Sequence, residues 1–415
     1  MTSSEIKWAP IIPLVGGFPI GAELAIGTEP TYVGSYSGFW GNDQHYMNYL
    51  NNIRGLNVPY VNFTEDVDYK NNVDIVVATP PCAALSALNT GSSAEVKGSG
   101  CAKNEWMYQA AQDAIIRSDP KVILIENAPA LSTNKGKGVA DKLYEIAKSN
   151  GRSLLLYKTS TAYHGIPQNR DRTFAVIVKS KDCPKFDWYE RECVSFTEHL
   201  KSANGSLSEM IVNPNISTEP YGMFIEYKTG LDRREVMIRD KFTTAFNWVN
   251  DHKLLHEAVE WFKTNNMEKA IRAGEHAIMK FSQGKGIWDG STHVFGEAMN
   301  AVIGRNMHDT MHPTESRSLS YREIMHMMGL PDDFELVDPK KNLNHLCQNV
   351  PTCTARDVVL ESMKFIRGEL EFFSGYDYVK QDNHNETVYD HSAGKVILKP
   401  QPKQPVVDST LSEFF

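Results

Sequence analysis

The chain has 415 residues, a formal net charge of −8 and 41% hydrophobic residues. That content supports a sizeable core, in one large domain or two ordinary ones, and excludes general disorder. The acidic balance gives no global attraction for nucleic acid, and no apolar run reaches the roughly 18 residues of a membrane helix.

Five short apolar runs are predicted strands: Ile11 to Val15, Val73 to Ala78, Val122 to Ile125, Leu154 to Tyr157 and Phe174 to Val178. Between them, Met107, Ala110, Ala111, Ala114 and Ile115 recur at helical spacing, as do Val139, Leu143, Ile146 and Ala147. This alternation predicts a mostly parallel, doubly wound α/β sheet over residues 1–182. Residues 183–290 break the pattern. They are polar and aromatic, with helical stretches near Leu254 to Phe262 and Glu268 to Phe281, and read as a smaller inserted domain. Lys228, Arg233, Arg234, Arg239 and Lys241 form a local basic cluster there, readable as a nucleic-acid contact or as a solvated helix face. Regular structure resumes over 291–368. Tyr321 to Met328 is a predicted short helix, and Ala355, Val358, Val359, Ser362, Met363 and Ile366 share a face of another, with Thr354 placed to cap it. Residues 369–415 are polar and proline-rich and read as a loosely held tail.

Six dispersed cysteines, with no Cys-x-x-Cys pair, indicate neither a zinc site nor a disulfide framework, and favour a reduced, cytoplasmic setting. Met1 to Lys7 lack the pattern of a signal peptide. His308 and His312 read as loop or surface histidines rather than metal ligands, and Met325, Met327 and Met328 as core filling.

The chemistry-bearing segments sit at the predicted strand ends. Thr79-Pro80-Pro81-Cys82 ends the second run. Two prolines stiffen the backbone there and present a thiol where doubly wound folds place their chemistry. Glu126-Asn127-Ala128-Pro129 ends the third run, and Gln168-Asn169-Arg170-Asp171-Arg172 leads into the fifth. Arg317-Ser318-Leu319-Ser320-Tyr321-Arg322-Glu323, Met328-Gly329-Leu330-Pro331 and Gln348-Asn349-Val350-Pro351 follow. This ordered set resembles the cytosine C5 DNA methyltransferase family over most of residues 11–368, apart from the insert.

The resemblance implies a Rossmann-like S-adenosylmethionine-dependent methyltransferase fold with a target-recognition insert. It implies that Cys82 adds to carbon 6 of a cytosine flipped out of double-stranded DNA. Glu126 then serves ring nitrogen 3, which requires burial to raise its pKa, and Arg172 steadies the base with Arg170 beside it. Pro81, Ser86, Asn127 and Gln168 are the implied base contacts, and residues 86–103 a mobile loop closing over the site. Sequence selectivity is assigned to the insert, through the major groove. For the cofactor the implied residues are Ile12, Gly16, Gly17, Phe18, Asn42, Asp43, Asp66, Pro80 and Asn349.

The cofactor end departs from the family pattern. Where Phe-x-Gly-x-Gly-Gly is usual, the chain has Ile12-Pro13-Leu14-Val15-Gly16-Gly17, and Asn42 stands where a ribose-binding glutamate is usual, with Asp43 as a substitute. Two readings stay open: S-adenosylmethionine in an altered pocket, or a different one-carbon or sulfonium donor. An RNA-directed enzyme and a non-catalytic DNA-binding relative are the remaining alternatives. Leu411, Phe414 and Phe415 resemble a sliding-clamp-binding peptide, which makes a clamp a second candidate partner beside DNA.

Overall fold

The computed structural model describes residues 5–86, 98–287, 292–304 and 306–398. Leu411, Phe414 and Phe415 lie outside these residues, as do residues 87–97 of the expected closing loop. Two compact units form, Met1–Val194 with Met325–Phe415, and Ser195–Ile324.

The first unit is built on a ten-stranded sheet. From edge to edge it runs Lys395–Leu398, Thr387–Asp390, Tyr378–Asp382, Ser153–Ser160, Asp171–Val178, Val122–Asn127, Ile75–Ala78, Trp8–Ile11, Val33–Ser35 and Tyr60–Asn62. Trp8–Ile11 pairs in parallel with both Ile75–Ala78 and Val33–Ser35, so the strand order reverses there. Ligand crevices open beyond strand ends at such a reversal. The Ile12 to Gly17 segment and Pro80-Pro81-Cys82 both leave the sheet at this point. Asp171–Val178 enters antiparallel between Val122–Asn127 and Ser153–Ser160.

The central strands are covered on both faces, which is why they read as continuous apolar runs. Val122, Ile123, Leu124 and Ile125 are all 0% exposed. Helices Glu105–Ser118 and Lys137–Ser149 cover one face, burying Met107, Ala110, Ala114, Val139 and Leu143. Helices Gly17–Ile26 and Thr352–Arg367 cover the other through Phe18, Ala22, Ala355, Val358 and Val359. Met325, Met327 and Met328 are buried as core.

Several expectations are corrected. The first strand ends at Ile11, because Ile12 and Leu14 turn into left-handed conformations, with φ of 53° and 52°. Thr354 does not cap its helix. The helix starts at Thr352, and Thr354 is buried inside it, its Oγ1 donating to Thr161 Oγ1 at 3.3 Å. The stretch from 369 is no loose tail as far as residue 398. Tyr378–Asp382 pairs in parallel with Ser153–Ser160, and Val379 and Val388 are fully buried. Its polar sequence hid this role. Buried Gln381 donates to Phe186 O and accepts from Phe186 N, and Asn383 treats the backbone of Tyr189 the same way, each amide standing in for a strand neighbour.

The second unit is largely helical. Pro220–Thr229, Arg233–Arg239, Ala245–Asp251, Leu255–Thr264 and Glu268–Ser282 enclose Tyr221, Phe224, Phe246, Trp248 and Phe262. Its limits differ from the expected 183–290. Cys183–Pro184 pairs with Phe372–Phe373 in the first unit. At the other end, Arg322 is 0% exposed and donates to Ser206 O and Oγ, and Arg317 forks onto Glu323 at 2.8 and 2.7 Å. These bonds tie the Arg317 to Glu323 segment into the second unit as a structural brace.

The basic cluster is internally neutralised. Lys228 pairs with Glu257, Arg233 with Glu226, Arg234 with Asp232 and Arg239 with Asp240. Four of the five cations thus have a neighbouring counter-charge, and Arg233 is buried rather than solvated. Among the described residues, no helix is long and apolar enough to cross a membrane.

Candidate active site

Ile75–Ala78 hands the chain to Thr79, whose N–H donates to Ile11 O at 3.3 Å. Pro80 is buried and Pro81 half-buried. Neither has an N–H, so the backbone beyond the strand needs no further ladder partner. Cys82 follows, half-buried, and its carbonyl accepts from Leu85 N in a tight turn. Burial pushes the Cys82 thiol up from its ordinary range, and the charge of Glu126 adds to this, while Arg172 and Arg170 oppose it. In this form the thiol is protonated at neutral pH.

Glu126 lies at the end of Val122–Asn127 and is 3% exposed. Its cross-strand neighbour is Phe174, so Arg172 sits diagonally on the same face of the adjacent strand. Arg172 Nε lies 2.6 Å from Glu126 Oε1, and Arg172 Nη1 donates to Asp171 O. Burial pushes the Glu126 carboxyl up, against the pull of Arg172 and Arg170. Desolvation wins over the ion pair, so this carboxyl keeps its proton to higher pH than an exposed one.

Arg170 is 1% exposed, and its Nη2 donates to Cys347 O at 2.6 Å and Asn349 O at 2.8 Å. Burial, then the like charge of Arg172, pushes its pKa down, though not far enough to discharge it at neutral pH. The resemblance put Arg170 beside Arg172. Through these bonds it fastens the Gln348 to Pro351 segment to the strand that carries Arg172, and its charge also acts on Cys82 and Glu126.

Gln168 was expected at the base, but it is 0% exposed and its Nε2 donates to Met327 O at 2.6 Å. It acts as an internal strut. Asn127 is likewise 0% exposed. Its Oδ1 accepts from Ala128 N, while its Nδ2 is buried without a protein partner. Ser86 is half-buried on the segment after Cys82.

A buried relay behind this loop had no signal in the sequence. Asn383 Nδ2 reaches Thr159 Oγ1 at 3.4 Å, and Thr159 Oγ1 meets His164 Nε2 at 2.8 Å. His164 Nδ1 meets Asp357 Oδ2 at 2.8 Å, and Arg191 forks onto the same carboxylate. These partners lie up to 224 residues apart in sequence, so no spacing could reveal them. They hold the 159–164 segment just before Gln168. His312, read as a loop or surface residue, lies in a loop but is buried, 3.5 Å from Glu323. His308 is exposed as expected.

At the cofactor end, Gly16 has φ of 109°, and a Cβ there would run into the ring of Tyr46. A Cβ on Gly17 would collide with Val350 O and the Asn349 side chain. Both positions therefore require glycine. Gly17 N donates to Asn349 Oδ1 at 2.6 Å, and Asn349 Nδ2 is left buried without a protein partner. Left-handed backbone at Ile12 and Leu14 costs each about 1–2 kcal/mol that glycine would not incur. Two expected ligands are corrected here. Phe18 is 1% exposed and packs edge-on to Phe174 at 5.6 Å, so it belongs to the core. Asp43 is 0% exposed and turned inward. It accepts from Leu14 N at 3.1 Å, Ser35 Oγ at 2.5 Å and Tyr60 OH at 3.1 Å. Burial pushes its carboxyl up to about 7, with those donors restraining the rise. Ile12 is also fully buried. Asn42 is half-buried, with its Nδ2 3.4 Å from Gln348 Oε1, and Asp66 is exposed, its Oδ2 accepting from Asn62 N. Trp40, overlooked in the sequence, is 53% exposed and edge-on to Tyr60 at 5.0 Å.

The chain matches the C-5 cytosine-specific DNA methylase family over residues 15–362. It is 26% identical over 199 residues to a type II methyltransferase of Oceanobacillus iheyensis, covering 44% of this chain and 42% of the relative. It is 22% identical over 296 residues to a type II methyltransferase of Bacillus paralicheniformis, covering 65% of each. The chain thus spans less than two thirds of the length of these relatives. Among solved structures, a DNA modification methyltransferase encoded within an E. coli prophage superimposes with a TM-score of 0.51 at 14% identity, over 88% of this chain and 100% of the other. The Entamoeba histolytica methyltransferase EhMeth does so with a TM-score of 0.53 at 11% identity, over 88% and 99%. These two likenesses speak to the fold alone. With the family match spanning most of the sequence, the chain belongs to the C-5 cytosine-specific DNA methylase family.

Proposed function

We propose that this chain is a DNA cytosine C5 methyltransferase. The observation that supports it most strongly is the buried Glu126–Arg172 pair, electrostatically coupled to the Cys82 thiol where adjacent strands end. Carbon 5 of cytosine is a weak nucleophile. After its thiol proton passes to solvent, Cys82 Sγ attacks carbon 6, which forms an S–C bond and moves the ring's 5,6 electron pair onto carbon 5. Glu126, whose carboxyl burial pushes up, supplies a proton to ring nitrogen 3 when it carries one, and Arg172 holds the carboxyl group and the ring in register. Carbon 5, once it has taken up the donor's methyl group, gives its proton to water; the freed electron pair re-forms the 5,6 bond and expels the Cys82 thiolate, and ring nitrogen 3 returns its proton to Glu126.

S-adenosylmethionine, when bound, supplies an electrophilic methyl group. Its amino-acid end fits the chain. The buried, unpartnered Asn349 Nδ2 offers a donor for a carboxylate, beside backbone at Gly16 and Gly17 that admits no side chain. The ribose end has no inward-facing carboxylate to offer, because Asp43 is engaged internally. This favours, as a second reading, a related sulfonium donor in the same loop. Double-stranded DNA is the proposed substrate, with recognition by the second unit, and a cytoplasmic location suits six free thiols.

The test is transfer of label from methyl-labelled S-adenosylmethionine to cytosine carbon 5 in duplex DNA and in transfer RNA. Label in DNA alone is expected. Label in RNA alone rejects the substrate, and label in neither, with heat of binding absent at millimolar cofactor, rejects the donor. On their sequence pattern, Leu411, Phe414 and Phe415 are proposed to dock on a sliding clamp. Deleting them should abolish clamp pull-down, and retention of the clamp by the truncated chain rejects the idea.

A further inference from the structure

The cofactor loop of this chain adopts a glycine-like backbone without the glycine. Leu14 occupies the position of the first glycine of the expected pattern, yet its φ is 52°, and Ile12 two residues earlier has φ of 53°. L-residues with bulky side chains leave this region unless something holds them there. Ile12 is held by its N–H on Gly34 O at 2.9 Å, which continues the strand pairing. Leu14 lies beyond the sheet, and its N–H donates to Asp43 Oδ1 instead.

Asp43 is well placed to act as an anchor. Its other oxygen accepts from Ser35 Oγ and Tyr60 OH, at the end of one strand and the start of the next. It is 0% exposed, and among the described residues no cation pairs with it. A buried carboxylate without a counter-charge is costly, so its retention calls for a role that only its acceptor oxygens can fill. No ligand can reach it, because all of its surface is covered by its own fold.

We infer that Asp43 is a positioning residue, which holds Leu14 in the left-handed turn and so shapes the loop for a nucleoside-sulfonium cofactor without touching it. Elsewhere a glycine adopts that turn unaided. Here a hydrogen bond from a neighbouring helix replaces that freedom. The inference rests on the reading of this loop as the cofactor loop.

The test is a double-variant cycle, Asp43→Ala, Leu14→Gly and both together, read by calorimetric binding of S-adenosylhomocysteine and by thermal unfolding without ligand. Asp43→Ala is expected to weaken binding by about tenfold, the usual effect of losing a buried hydrogen-bonded acceptor. Leu14→Gly is expected to bind within about threefold of the parent, and the double variant to return to that level, since glycine needs no anchor. A double variant as weak as Asp43→Ala overturns the proposal, because Asp43 then acts on the ligand or the fold by another route. Asp43→Ala binding like the parent overturns it as well. Should Asp43→Ala fail to fold, a folded double variant supports the inference and an unfolded one overturns it. If the parent itself shows no binding, the cofactor reading fails separately. The unfolding midpoints then decide: a loss from Asp43→Ala that is smaller in the Leu14→Gly background than in the parent supports the anchor, and an equal loss in both backgrounds overturns it.

Discussion

Cys82→Ser is expected to abolish the covalent complex with duplex DNA carrying 5-fluorocytosine, and to lower methyl transfer by about 10³-fold or more. The hydroxyl is a far weaker acid and nucleophile than the thiol. Arg172 and Arg170 favour ionisation at this position, but burial and Glu126 outweigh them even for the thiol, so the far less acidic hydroxyl stays protonated. Cys82 is half-buried at a turn, so the fold should survive, with a stability change within about 1 kcal/mol. Gel-shift of the denatured adduct and a thermal scan check both parts. An adduct that persists in Cys82→Ser at the parent level removes this thiol from the chemistry. The raised thiol also sets a direction for the unliganded protein. Alkylation of Cys82 should be slow at neutral pH and accelerate as pH climbs past the ordinary thiol range.

Glu126→Gln should lower transfer by about 10²–10³-fold, and Glu126→Ala should also lose about 3 kcal/mol of stability. The two variants differ because glutamine can still occupy the space and offer a donor, whereas alanine leaves the largely buried guanidinium of Arg172 without its partner, now 2.6 Å away. The pH dependence follows from the direction of the shift. The folded carboxyl is raised above its ordinary value of 4.5. Its contribution to stability is therefore fully present below that value and is lost as pH rises through the folded pKa. In the parent, transfer should fall on the alkaline side as Glu126 ionises. In Glu126→Gln that limb should disappear. A parent profile with no such limb, or one unchanged in Glu126→Gln, would rule out proton donation by this residue.

The proposed catalytic set was legible because its logic is local. Val122 to Ile125 had to be a buried strand, since it is apolar without alternation, and the polar residues that end such a strand, Glu126 and Asn127, face whatever lies beyond the sheet. Pro80-Pro81-Cys82 is readable for the same reason. The short strands Val33–Ser35 and Tyr60–Asn62 were not seen, because three residues carry too little periodicity to register. The C-terminal strands were missed because Gln381 and Asn383 satisfy backbone groups rather than burying apolar surface.

Residue order and chemistry were enough to establish the α/β alternation, the strand-end thiol, carboxyl and guanidinium, and the departure from glycine at Leu14. Folding alone decided where each polar group found its partner. Asp43 faces inward because Ser35, Tyr60 and Leu14 converge on it. Arg170 and Gln168 support the backbone because Cys347, Asn349 and Met327 present carbonyls to them. Arg233, Arg234 and Arg239 of the second unit carry little free charge because carboxylates arrive beside them. Hydrophobic burial leaves a periodic trace along a chain, but a hydrogen bond between residues hundreds of positions apart leaves none.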